Sequence, residues 1–201
     1  MIFDKIFAAC KYHIKDKWEF IYLEIDLTAP TFSLPAGMDN ELSIRIAEEQ
    51  EMPKIISDIG KHLTGEDRRQ IQRIGEKEFS CFTASRNDKI IHFFLVYENA
   101  GNSLLAKTPF DKEKIHTNDV YLGSAFTVPE SRGSWVVPVT LMKILQYLKD
   151  KKKFKRALVL VHKDTPGAVG FYQRLGFKIV ENPVKHNLFY LIAKTATLFY
   201  K

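Results

Sequence analysis

Between Asp119 and Phe177 the residues run in an order that leaves few folds open: strand, turn, helix, strand, helix. Val120 to Val128 reads as a strand, and Leu141, Ile144, Leu145 and Leu148 then form an apolar stripe at helical spacing. Ala157 to Val161 (ALVLV) is a continuous apolar run, as expected of a strand covered on both faces. Strand, helix, strand in that order implies a parallel crossover. A second helix follows, with Thr165 as its N-cap, Pro166 at its first position and Gly176 just past its end. Its apolar face is Ala168, Phe171, Tyr172 and Leu175. The turn Pro129-Glu130-Ser131-Arg132-Gly133 feeds the first of these helices. Free amides and the positive end of the helix dipole make such a place suited to a phosphorylated group. An ordinary tight turn before a helix would read the same way.

The rest of the chain supplies strands and helices around this unit. Lys17 to Leu27 is rich in β-formers and reads as a strand after a short N-terminal helix or irregular segment. Thr28 to Gly37, with Pro30, Pro35 and Gly37, is the clearest connector and sets residues 1–37 apart as an extension from a domain over 38–201. Leu42 to Ala47 alternates as a strand, and Glu48 to Leu63 and Gly65 to Glu78 carry helical periodicity. Phe79 to Ser85 and Ile90 to Tyr97 are strands joined by a hairpin turn at Arg86-Asn87-Asp88-Lys89. Glu98 to Asn118 is long, polar and without period, the kind of loop that carries function. Asn187 to Ala193 is expected to close the sheet.

Composition narrows the class. The 201 residues are 45% hydrophobic, which suits one folded domain with a real core, and no apolar run is long enough to span a bilayer. Met1 to Cys10 shows no export signal, and Cys10 and Cys81 are isolated thiols, so a reducing, cytoplasmic setting is expected. The net charge of +6 is concentrated: Lys149, Lys151, Lys152, Lys153, Lys155 and Arg156 stand against Asp150 alone. That cluster lies where a helix ends, and cations there answer the helix dipole, so a solvated helix end is preferred to a polyanion site.

Two motifs carry a family resemblance. Val128-Pro129-Glu130-Ser131-Arg132-Gly133 resembles the cofactor turn of the GNAT superfamily of acyl-CoA N-acyltransferases. Phe171-Tyr172-Gln173-Arg174-Leu175-Gly176-Phe177 resembles that superfamily's second signature, and the likeness covers Leu42 to Ala193. It implies an α/β (α+β) fold: a mixed, mostly antiparallel sheet with a central βαβ crossover and helices on both faces. It also implies acetyl-CoA or another acyl-CoA as co-substrate, without a metal, and an amine acceptor that is a small molecule or a peptide. A homodimer stays open, and neither membrane nor nucleic acid is expected as partner.

The same resemblance assigns residues. Phe126, Thr127 and Val128 would line the pantetheine arm at the end of their strand. Arg132, Gly133, Ser134, Trp135, Val136 and Val137 would hold the pyrophosphate. Thr165 stands where the superfamily often has Asn. Tyr172 would protonate the departing thiolate, although periodicity alone reads it as a core aromatic. Trp135 and Val137 depart from the family's glycine pattern, and bulky residues resist positive φ. A reshaped loop or weaker cofactor binding is therefore expected, and a CoA-binding regulatory module without turnover is the alternative to an enzyme. Packing of Trp135 on the neighbouring helix is preferred to a role on the cofactor. No motif names a general base; Glu98, Asp119 and His92 lie near the central strands, and Ser124 could relay through water.

Overall fold

A computed structural model describes residues 20–28, 42–103, 105, 112–151, 153–162, 165 and 167–180. The expected closing strand Asn187 to Ala193, Pro166, Cys10 and most of the 28–37 connector fall outside these residues. In chain order the elements are β1 (Phe20–Asp26), β2 (Ser43–Ile46), α1 (Met52–Ile59), α2 (Gly65–Ile71), β3 (Phe79–Arg86) and β4 (Lys89–Tyr97). After the long loop come β5 (Asp119–Thr127), α3 (Val136–Asp150), β6 (Arg156–His162), α4 (Ala168–Arg174) and β7 (Lys178–Ile179). The strands form one seven-stranded sheet ordered β2-β3-β4-β5-β6-β1-β7. Every neighbouring pair is antiparallel except β5 and β6, which are parallel and joined through α3. The mixed sheet with its central crossover is the architecture read from the sequence.

Local chemistry explains most boundaries. Thr64 caps α2: its hydroxyl accepts from the Asp67 amide while the Asp67 carboxylate accepts from the Thr64 amide, a reciprocal capping box. The hairpin between β3 and β4 turns on Asn87 (φ 50°) and Asp88 (φ 59°), both in the left-handed region that such two-residue turns need. The helix expected over Gly65 to Glu78 ends at Ile71, where tighter turns follow (Arg73 N–H to Gln70 O, Ile74 N–H to Ile71 O), and the left-handed Gly75 (φ 98°) and Glu78 (φ 63°) bar its resumption.

The sheet separates two apolar layers. Ile55, Ile59 and Ile71 of α1 and α2 pack with Phe93, Leu95, Tyr97 and Tyr121 on one face. On the other, Leu141, Ile144, Leu145 and Leu148 of α3 pack with Phe94, Val96, Val120 and Leu122, and α4 leans on the same layer through Phe171, Tyr172 and Leu175.

Although it precedes the connector, β1 lies inside the sheet. It pairs with β6 over its whole length, from Phe20↔His162 to Asp26↔Arg156, and with β7 on its other side. Tyr22, Leu23 and Ile25 are buried there. The place beside β6 is thus held by a strand from before the connector.

Candidate active site

The site begins with a bulge. Phe94 pairs with Ala125 and Val96 with Leu122, so three steps along β5 answer two along β4. The surplus falls at Gly123 and Ser124. A Cβ on Gly123 would stand 2.7 Å from the Tyr97 ring, so only glycine lets the strand pass there. Bulges bend a strand and strengthen its twist. Pairing between β5 and β6 accordingly ends at Leu122↔Val159, and beyond it β5 has no partner on its β6 side among the described residues. Gly123, Ser124 and Phe126 are half-buried and Ala125 is exposed along that open edge. An extended amide-bearing chain could pair there as an added strand would. A lone glycine inside a strand, as Gly123 is, signals such a bulge.

The turn after β5 supplies donors. Pro129–Ser131 make one 3₁₀ turn, Arg132 is extended, and Gly133 takes φ 73°. Trp135 follows with φ −73° as the residue before α3. Positive φ is therefore needed only at Gly133, and the bulky Trp135 meets no backbone conflict. The first main-chain bond of α3 runs from Val139 N–H to Trp135 C=O. The amides of Gly133, Ser134, Trp135, Val136 and Val137 find no acceptor among the described residues, and Pro138 has none to offer. Five unpaired donors thus stand at the start of a 15-residue helix, the kind of place where an anion is favoured.

Side chains around the turn are placed as follows. Arg132 Nε donates to Thr127 O at 3.1 Å, with its guanidinium 5.9 Å from the Phe126 ring centroid. Phe126 also stacks near Phe93 (6.0 Å) and His62 (6.3 Å), a neighbour with no sequence signal. Val128 contributes less than expected: its N–H donates to Ile91 O and its C=O accepts from Ser131. Thr165 is exposed and is not the cap of α4; that position belongs to Gly167 at φ 72°. Trp135 is 59% exposed, so it does not pack on the neighbouring helix.

The second motif is a helix terminator that positions a tyrosine. Gly176 takes φ 92°, Phe177 N–H donates to Tyr172 O at 3.1 Å, and Gly176 N–H donates to Gln173 O at 2.9 Å. These two bonds and the left-handed residue constitute a Schellman cap, whose usual apolar contact is here Phe177 against Tyr172, with ring centroids 5.1 Å apart. Phe171 packs edge-on against Tyr172 from the other side at 5.2 Å. Burial pushes the Tyr172 phenol up from its ordinary value, so its proton stays on at neutral pH. Burial does the same to Tyr121 on β5, with Tyr97, Tyr172 and Tyr22 adding to the rise. Tyr172 of α4 thus keeps its proton in the apolar layer that also holds α3.

None of the carboxylates considered as base is free. Asp119 is buried and accepts from Arg156 Nε (3.1 Å), Arg156 Nη2 (2.6 Å) and the His116 amide (2.7 Å). Glu98 accepts from Lys153 Nζ at 2.9 Å and Ser80 Oγ at 3.2 Å. His92 is fully buried, its Nδ1 2.8 Å from Thr127 Oγ1, and burial pushes its imidazole down to about 4. It cannot meet a substrate. Its effect is on stability: the unfolded chain binds a proton near pH 6.5, whereas the folded one resists it down to about 4. Stability is therefore full above 6.5 and is lost as pH falls toward 4. Urea midpoints should report a loss of about 1 kcal/mol between pH 6.5 and 5.5 that disappears in His92→Phe.

Among the described residues no group of three or more His, Cys, Asp or Glu could hold a metal ion, and no helix is long and apolar enough to cross a membrane. A family model described as Acetyltransferase (GNAT) family matches residues 44–177. No curated protein matches in sequence. In fold the chain is similar to a functionally unknown conserved protein from Staphylococcus epidermidis, with 8% identity, TM-score 0.52, and 80% of this chain and 57% of that one covered. It is similar to the GCN5-related glucosamine N-acetyltransferase region of a fungal multi-domain β-N-acetylglucosaminidase, at 12% identity, TM-score 0.58, and 80% and 20% covered. A third likeness is to AAC(6')-Iy in complex with the bisubstrate analogue CoA-S-monomethyl-acetylneamine, at 14% identity, TM-score 0.54, and 73% and 97% covered. The chain spans little more than half of the first of these proteins and a fifth of the second. At such identities the likeness is one of fold.

Proposed function

The chain belongs to the acetyltransferase (GNAT) family, and on that premise we propose that it transfers an acetyl or short acyl group from acyl-CoA to an amine acceptor by direct attack. The observation that carries this reading is the run of open amides from Gly133 to Val137 beside the unpaired edge of β5. The donor set suits a diphosphate, because five unpaired amides follow one another at the helix start and need no mobile side chain. The open edge from Gly123 to Thr127 suits the amide-bearing arm that follows. When bound, the thioester supplies an acyl carbon for the acceptor nitrogen to attack, and its C–S bond breaks to leave a thiolate.

Tyr172 holds the proton that the thiolate takes. Burial makes the phenol a weaker acid, but a thiolate in the same apolar surroundings becomes a stronger base by the same physics. The proton leaving the acceptor nitrogen passes to solvent, because Asp119, Glu98 and His92 are committed elsewhere. We place the protein in the cytoplasm, with a small-molecule or peptide amine as acceptor.

Calorimetry with acetyl-CoA tests the reading, with a Kd below about 1 mM expected. Absence of binding at that concentration sinks it. Trp135, exposed on the turn, favours as second reading a module that binds CoA without turnover. Binding with no thiol released across a panel of amines would select that one.

A further inference from the structure

Trp135 is the most exposed of the large apolar side chains described, at 59%, ahead of Ile179 and Ile46. It occupies the N-cap of α3, where Ser, Thr, Asp or Asn would ordinarily accept a main-chain amide. Indole accepts nothing, and the residue makes no side-chain cap bond. Among the described residues its ring has no aromatic or cationic partner. It therefore neither closes the helix nor packs on it. What it does is present a flat, apolar surface to solvent on the turn that carries the open amides.

Direction along the site identifies what would cover that surface. Leu122 and Val159, where the β5–β6 pairing ends, are buried; Gly123 and Ser124 are half-buried; Arg132 to Trp135 are exposed. A CoA molecule whose diphosphate lies on the amides sends its pantetheine arm inward along β5. Its nucleotide, attached to the other side of the diphosphate, is then left on the outer side, where Trp135 stands. We propose that Trp135 is the platform on which the adenine of the acyl-CoA stacks, so that this side chain selects nucleotide-bearing pantetheine donors over shorter ones. The proposal rests on the acyl-CoA reading above. An indole face and a purine face are well matched, and stacking of this kind is tolerant of geometry.

The test compares CoA with 4′-phosphopantetheine, which keeps one phosphate and lacks the second phosphate and the 3′-phosphoadenosine, by calorimetry on the full chain. The readout is how each variant changes the ratio of the two affinities. Trp135→Ala should weaken CoA about tenfold and leave 4′-phosphopantetheine unchanged, and Trp135→Phe should restore most of the loss. Indole emission of the wild type should be quenched by CoA and not by 4′-phosphopantetheine, with no such quenching in Trp135→Phe, where only Trp18 emits. If Trp135→Ala binds CoA as tightly as wild type or more tightly, the indole is idle or an obstruction and the platform is overturned, while the acyl-CoA reading stands. Wild type binding 4′-phosphopantetheine as tightly as CoA overturns it as well. No binding of CoA to the wild type removes both.

Discussion

Replacing Tyr172 by Phe should lower the rate of acyl transfer at saturating substrates by about 100-fold while leaving the Kd for acetyl-CoA and the thermal midpoint in place. The substitution removes one oxygen and nothing else. The ring sits between Phe171 and Phe177, and those contacts are made by ring edges and faces. The bonds that fix the end of α4 are main-chain bonds, from Phe177 N–H to Tyr172 O and from Gly176 N–H to Gln173 O. Phenylalanine keeps all of them. A purely structural tyrosine would therefore show no kinetic consequence, and a proton donor would show a large one confined to kcat. Release of CoA thiol in single-turnover mixing, where the donor acts on the chemical step, is the measurement. A loss smaller than about threefold would return Tyr172 to the core and leave the departing thiolate to solvent.

That second motif could be read in the sequence because everything it does is local. A left-handed glycine, a main-chain cap and a contact between residues five apart are all contained in one heptapeptide. The turn after β5 was only half legible. Gly133 takes left-handed backbone at φ 73°, but not every glycine of the family pattern marks a positive φ. Trp135 at φ −73° needs none, and the helix start offers its amides whatever side chains they carry. Longer-range facts left no trace. The partners that occupy Asp119 and Glu98 lie 37 and 55 residues away. Nor does a strand's own alternation say which neighbour it will take. Lys17 to Leu27 was a recognisable strand, yet only the tertiary fold sets Leu23 between Val159 and Ile179. The bulge at Gly123 lay in between: its signal was present and was given no structural meaning.

The same long-range pairing makes Asp119 a residue whose loss should destabilise the fold strongly. Asp119→Ala should lower the free energy of unfolding by about 3 kcal/mol, the lower end for breaking a buried ion pair, since Arg156 keeps 22% of its side-chain surface in water. Arg156 is the hub: it donates to Asp119 on β5 and to Glu24 on β1 at 2.6 Å, and to Lys114 O in the preceding loop. It therefore binds together the start of β5, the start of β6 and the end of β1, where the parallel pair begins at Asp119↔Arg156. Removing the carboxylate leaves a guanidinium with one acid where it had two, and leaves the His116 amide without its acceptor. Arg156 is held above its ordinary value first by its bonds to Asp119, which marks that carboxylate as its principal partner. Asp119→Asn keeps the volume and one acceptor oxygen, so it should lose less. Urea titration with an unchanged slope checks the size of the effect. The rate of acyl transfer, measured well below the unfolding midpoint, separates the two roles that Asp119 could have had. A structural acid loses stability and keeps its rate per folded molecule. A general base would lose rate by a hundredfold or so at little cost in stability. Both oxygens are already engaged at the end of β5 remote from the open amides, and that geometry requires the first outcome.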